Sequence, residues 1–117
     1  LSYPSFLKIE DVVLLFVSGE LISKYVKRWK IHSPENVMVN LLKRRDLDPL
    51  YEIKNGVYKK YPFVIDIIPD IFVSGYQTPG NLNYKGTNII SVGSFVSHPF
   101  VWVVDLSTRE INKCIIS

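Results

Sequence analysis

Apolar residues along this chain come in short bursts, and the spacing inside each burst predicts its element. Phe6 to Ile9 and Val12 to Val17 are β-branched and aromatic runs separated only by Glu10-Asp11, which reads as a hairpin or a bent pair of strands. The second run has no polar position, the pattern of a central strand covered on both faces. After Ser18-Gly19 the period changes. Leu21, Ile22, Tyr25, Val26 and Trp29 fall on one side of a helix while Glu20, Ser23, Lys24, Lys27 and Arg28 fall opposite, predicting an amphipathic helix of about ten residues. A second helix starts at Ser33-Pro34-Glu35: Ser33 is an N-cap, Pro34 sits where a missing N–H costs nothing, and Glu35 suits the positive first turn. Val37, Met38, Leu41 and Leu42 supply its buried stripe, Lys43, Arg44 and Arg45 its basic end, and Asp48-Pro49 closes it.

Beyond Pro49 the helical period does not return. Lys54-Asn-Gly56 is a tight-turn signal. Strands are expected at Phe63 to Ile65, Ile71 to Ser74, Asn88 to Val92, Phe100 to Val104 and Ile111 to Ile116, with Pro79-Gly80, Lys85-Gly86 and Ser107-Thr108 between them. No repeat, low-complexity segment or linker divides the chain. The pattern predicts one α+β domain over residues 1–117, with two helices in the N-terminal half and a mainly antiparallel β-sheet.

Composition narrows the class. At 117 residues with 47% apolar side chains, the chain is long enough for one packed core. Its longest apolar burst falls far short of the ~20 residues that cross a bilayer, so no membrane span is expected. Leu1-Ser-Tyr-Pro carries no basic segment or cleavage site of a secretory signal. Leu1 itself fits either a fragment or a UUG start codon written as Leu. One cysteine, Cys114, allows no internal disulfide and no structural zinc site; it fits a reducing, cytoplasmic setting and a place as a small apolar group in the last strand. Fourteen Lys and Arg against eleven Asp and Glu give a net charge of +3, too mild to define a nucleic-acid partner on its own.

Three blocks of sequence carry a resemblance. Leu14-Leu-Phe16 runs into a small turn. Glu35 to Tyr51 contains the run Met38-Val-Asn-Leu-Leu-Lys-Arg-Arg-Asp-Leu-Asp-Pro49. Val64-Ile-Asp-Ile-Ile-Pro-Asp-Ile-Phe72 leads into Ser74-Gly75, then Asn83-Tyr-Lys-Gly86 and Ile89-Ile-Ser-Val-Gly-Ser94. In this order they resemble the C-terminal half of the calcineurin-like phosphoesterase domain in the small (B) subunit of archaeal family-D DNA polymerase. The second block is the most specific, similar to a family helix reading roughly Ala-Met-Xaa-Xaa-Leu-Leu-Lys-Arg-Arg-His-Leu-Ala-Pro-Xaa-Tyr.

The resemblance implies half of an α/β/β/α metallophosphoesterase sandwich, and its departures imply a degenerate one. Where the family carries a His-Gly metal turn, this chain has Val17-Ser18, or Ser18-Gly19 in the next register. Where it carries Gly-His-Xaa-His, this chain has Tyr76 and Thr78. Its upstream metal motifs would fall before Leu1. Di-metal phosphodiester hydrolysis needs neutral imidazoles and carboxylates to hold two cations and generate hydroxide. A phenol of pKa near ~10 and an alcohol resist the deprotonated state a ligand needs. The expectation is a truncated domain with no catalytic residue, no metal and no cofactor, Val17, Tyr76 and Thr78 marking the lost ligand positions.

Other candidates are weaker. His32 precedes a helix cap and His98 precedes Pro99; neither has a ligand spacing to a carboxylate. Asp66 and Asp70 flank Pro69, which argues against a helix face. Ser94 and Ser97 near His98 lack a nucleophile elbow and an orienting acid. The glycines 75, 80, 86 and 93 are turn residues, since no helix follows them. Tyr76, Tyr84, Phe95, Phe100 and Trp102 are expected around the degenerate site, mostly as core. Lys24, Lys27, Arg28 and Lys30 on the first helix, and Lys43, Arg44 and Arg45 at the end of the second, are the candidate DNA-phosphate contacts; the plainer reading is a solvated face. The expected role is an inactive accessory or scaffold subunit bound to a DNA polymerase catalytic subunit. The alternatives are a nonspecific duplex-DNA-binding module and, last, a phosphodiesterase using an unusual metal site.

Overall fold

β1 (Ser5–Ile9) and β2 (Val12–Val17) form the expected hairpin, Ser5 opposite Phe16 and Ile9 opposite Val12. The computed structural model describes residues 4–50, 64–94 and 100–115. β2 runs directly into α1 (Gly19–Trp29), capped by Ser18, whose hydroxyl accepts from the Leu21 N–H at 3.2 Å. α2 (Pro34–Arg44) begins at Ser33 as predicted and ends on Arg45 in left-handed backbone, its N–H shared between the Leu41 and Leu42 carbonyls. β3 (Ile71–Ser74), β4 (Gly80–Tyr84) and β5 (Thr87–Ser91) join the first hairpin in one sheet of order β1-β2-β3-β5-β4, while β6 (Phe100–Val104) and β7 (Ile111–Ile115) form a separate hairpin.

The molecule is α+β, and its hairpin pairs are antiparallel. The centre is different: β2, β3 and β5 run parallel, with Leu15, Phe72 and Ile89 in one row. The connection permits that direction. β2 leaves the sheet through two helices, which supplies the crossover a parallel pair requires, whereas a tight turn can join only antiparallel neighbours.

Side chains alternate across the sheet as the strand period requires. Leu15, Val17, Phe72 and Ile89 face the helices and close the main core with Ile22, Tyr25, Val37, Met38, Leu41 and Leu42. On the opposite face Val12, Ile71 and Ile90 pack under Trp102, Val104, Leu106 and Ile111. Polar clasps hold that hairpin in place: the Trp102 indole donates to the Val92 carbonyl at 3.0 Å, and the Asn88 amide donates to the Arg109 carbonyl at 3.2 Å.

Some expectations need correcting. The strand at Phe63 to Ile65 is reduced, over its described part, to a single bridge between Val64 and Asp46; Ile65 is buried and its N–H donates to the Arg45 carbonyl at 2.9 Å. Gly80 starts β4 and is no turn residue, and the polar-apolar alternation Asn81, Leu82, Asn83, Tyr84 is that strand's signature. Cys114 lies on β7 but is exposed, outside the core. Lys54-Asn-Gly56, Phe95, Ser97 and His98 lie outside the described residues. Among the described residues no helix is long and apolar enough to cross a membrane.

Candidate functional site

The parallel strands end side by side, with Val17, Ser74 and Ser91 in register. Open sheets of this kind bind ligands at the carboxyl ends of their strands, where the connecting loops diverge. Here the β2 loop passes straight into α1 at Gly19, and the β3 loop continues through Gly75 and Tyr76. The two approach so closely that a carbon added to Gly19 would lie 2.6 Å from the Gly75 carbonyl oxygen and 3.1 Å from the Tyr76 Cα. Beside this contact opens a shallow polar cavity of about 400 Å³ lined by Gly19, Glu20, Ser23, Gly75, Tyr76 and Gln77.

Of the positions where the resemblance expects ligands, Tyr76 lines this cavity, whereas Val17 and Thr78 are outside its lining. Val17 ends β2 and is buried; Tyr76 and Thr78 follow β3. The loop after β3 is pinned by its own backbone: the Thr78 carbonyl accepts from the Ser91 hydroxyl at 2.6 Å, and the Tyr76 carbonyl from the Gly93 N–H at 2.9 Å. The Ser74 hydroxyl, fully buried at the root of the loop, has no hydrogen-bond partner among the described residues.

The donor set of the rim is a phenol, alcohols, an amide and one carboxylate, Glu20. These residues do not fit a pair of divalent cations, which need several hard anionic or imidazole donors converging within ~2.0–2.6 Å of each ion. No group of three His, Cys, Asp or Glu among the described residues has a metal-holding arrangement. His32 is exposed in the connection between the helices. Asp70 lies at the far, amino end of β3. There its carboxylate accepts from the Val13 N–H and its own N–H donates to the Val13 carbonyl, both at 2.8 Å, so it clamps two strands together.

The basic residues separate into different settings. Lys24 pairs with Asp48 at 2.6 Å. The same carboxylate oxygen accepts from the Tyr25 hydroxyl, which in turn accepts from the Leu50 N–H at 2.9 Å. Burial, reinforced by Asp48, pushes the Tyr25 phenol well above its ordinary value. Lys24 is thus tied to a structural cluster, while Lys27, Arg28 and Lys30 stay exposed along α1 and just past it. The Arg44 guanidinium stacks over Trp29, 5.0 Å from the ring centre. Lys43 reaches Tyr84, and so does Lys85, each ammonium 5.5 Å from the ring centre. Tyr84 therefore sits at the amino end of the parallel strands, away from Tyr76, and Phe100 and Trp102 belong to the β6–β7 hairpin. Lys85 went unnoticed in the sequence because Lys85-Gly86 reads only as a turn.

Comparison with known proteins gives one informative likeness. The chain is 33% identical over 95 residues to the DNA polymerase II small subunit of Archaeoglobus fulgidus; the match takes in 75% of this chain and 19% of that protein. This supports a relationship to the archaeal polymerase small subunits, of which the chain spans about a fifth of the matched relative's length. No family model matches. Among solved structures, an NMR structure of a Thermotoga maritima protein aligns with the whole chain and 55% of its own length at 17% identity and a TM-score of 0.46, a level from which nothing further follows.

Proposed function

We propose that this chain is a non-hydrolytic accessory subunit of a DNA polymerase, stabilising or positioning the catalytic subunit by surface contact. The carrying observation is the strand-end rim. There Gly19 and Gly75 meet backbone to backbone, and the positions that the resemblance matches to the family's imidazoles hold Val17, Tyr76 and Thr78. A di-metal phosphodiesterase makes its hydroxide on bound cations, and a phenol, an alcohol and an aliphatic side chain are a poor ligand set for them at neutral pH. The likeness to a polymerase small subunit supports an accessory role beside a polymerase.

The surface supports a binding role. β1 is a sheet edge with Phe6, Leu7 and Ile9 each 40–48% exposed, and Ile115 on β7 is 77% exposed. Strand edges with apolar side chains associate unless covered. The test is size-exclusion chromatography with light scattering, mixing the purified chain with family-D and family-B catalytic subunits from its own source. Co-elution with either supports the proposal. A folded chain that elutes apart from both at low and moderate salt overturns it.

A further inference from the structure

We infer that Lys43, Arg45 and Lys85 form a phosphate-binding clamp for a nucleic-acid backbone, built around Tyr84 at the amino end of the parallel strands. The three cations line one cavity of about 350 Å³, with Leu42 and Thr87 in its wall. Among the described residues, no carboxylate lies within ion-pair distance of any of them; the single ion pair found there is Lys24 with Asp48.

Basic residues at a helix end are ordinarily explained by the helix dipole. That explanation covers Lys43 and Arg45, because α2 ends there, but it does not cover Lys85. Lys85 comes from the β4–β5 turn and brings its ammonium to the same ring as Lys43. Both Lys85 (φ 47°) and Arg45 (φ 52°) occupy left-handed backbone, where Gly or Asn is cheaper than a long side chain. Each position holds a cation despite that cost.

Cations beyond the cavity favour a chain of phosphates over a lone one. Arg44 next door stacks on Trp29, and Lys30 directly follows that tryptophan. The clamp thus continues into a cationic edge running from the β4–β5 turn to the end of α1. A polyanion that meets successive cations releases its counterions and gains affinity from each. The choice of nucleic acid as that polyanion rests on the polymerase reading; the geometry of the clamp does not.

The test is fluorescence anisotropy of the purified chain, without polymerase, against labelled single-stranded and duplex oligonucleotides at about 50 and about 200 mM salt. Inorganic phosphate is titrated separately. Lys85→Asn and Arg45→Asn remove the cations but supply the residue that left-handed turns prefer, so folding is kept or strengthened; thermal melts confirm it. Oligonucleotide binding that each substitution weakens several-fold, with the salt slope falling by about one per cation removed, supports the clamp. No oligonucleotide binding, binding unaffected by both substitutions, or phosphate binding alone overturns it. Because no catalytic subunit is present, a failure here leaves the co-elution result standing on its own.

Discussion

Gly19 and Gly75 meet across the ends of β2 and β3 with no room for one more carbon on the Gly19 side: a methyl there would lie 2.6 Å from the Gly75 carbonyl oxygen and 2.9 Å from its carbon. Both atoms are backbone, so they yield only if a strand end moves. The reverse addition is harmless, since a carbon on Gly75 would meet only the Gly19 nitrogen at 3.8 Å. Gly19→Ala is therefore expected to destabilise the fold by about 1–3 kcal/mol, as overpacking does, and Gly75→Ala to stay within about 0.5 kcal/mol. Urea denaturation of the pair checks the asymmetry; equal effects would contradict the packing described.

Asp70 clamps β2 to β3 where the parallel pairing begins, using both its backbone N–H and its carboxylate on Val13. Asp70→Ala leaves the Val13 N–H without its acceptor and is expected to cost about 1–3 kcal/mol. Asp70→Asn keeps an acceptor oxygen in the same place and is expected to lose much less. Comparing their denaturation midpoints separates a structural clamp from an unimportant surface acid.

The Tyr25 hydroxyl joins Asp48 to the Leu50 backbone inside the helix layer. Tyr25→Phe is expected to lower stability at neutral pH by about 1–3 kcal/mol, because a buried acceptor and a backbone N–H each lose a partner. The phenol's folded pKa is raised above its unfolded value, chiefly by burial. Its contribution is therefore complete below about pH 10, the unfolded value, and is lost as pH rises beyond it. The gap between wild type and Tyr25→Phe should narrow between about pH 8 and about pH 11. Denaturation curves at both values read this directly, and a gap that widened would reverse the argument.

Both helices were legible because local chemistry agrees with their tertiary roles. Ser18 and Ser33 cap where their side chains promise to, and Ile22, Tyr25, Val37, Met38 and Leu41 are buried where the period puts them. β4 hid because Asn81 and Asn83 look like loop residues; one face of an edge strand meets water, so only Leu82 and Tyr84 needed to be apolar. The parallel centre hid for another reason. Strand direction is a property of the connections, and Ile71 to Ser74 would show the same side-chain pattern in either sense.

The expectation of missing ligands comes from the resemblance alone, and the sequence did not show where those positions lie in space. That the ends of β2 and β3 lie side by side, with the loop carrying Tyr76 and Thr78 following β3, depends on the two strands pairing in register, Val17 beside Ser74. Tyr84 was grouped with Tyr76 by proximity in sequence, yet β4 carries it to the opposite end of the sheet. Lys24 was grouped with the free cations, yet Asp48, distant in sequence, claims it.

The central proposal is that the strand-end rim lacks the means to hold a pair of catalytic metal ions. Calorimetric titration of the purified chain with manganese tests it most directly. The account predicts no saturable binding at the rim. Saturable uptake of two ions, abolished by Glu20→Gln together with Tyr76→Phe, would contradict it.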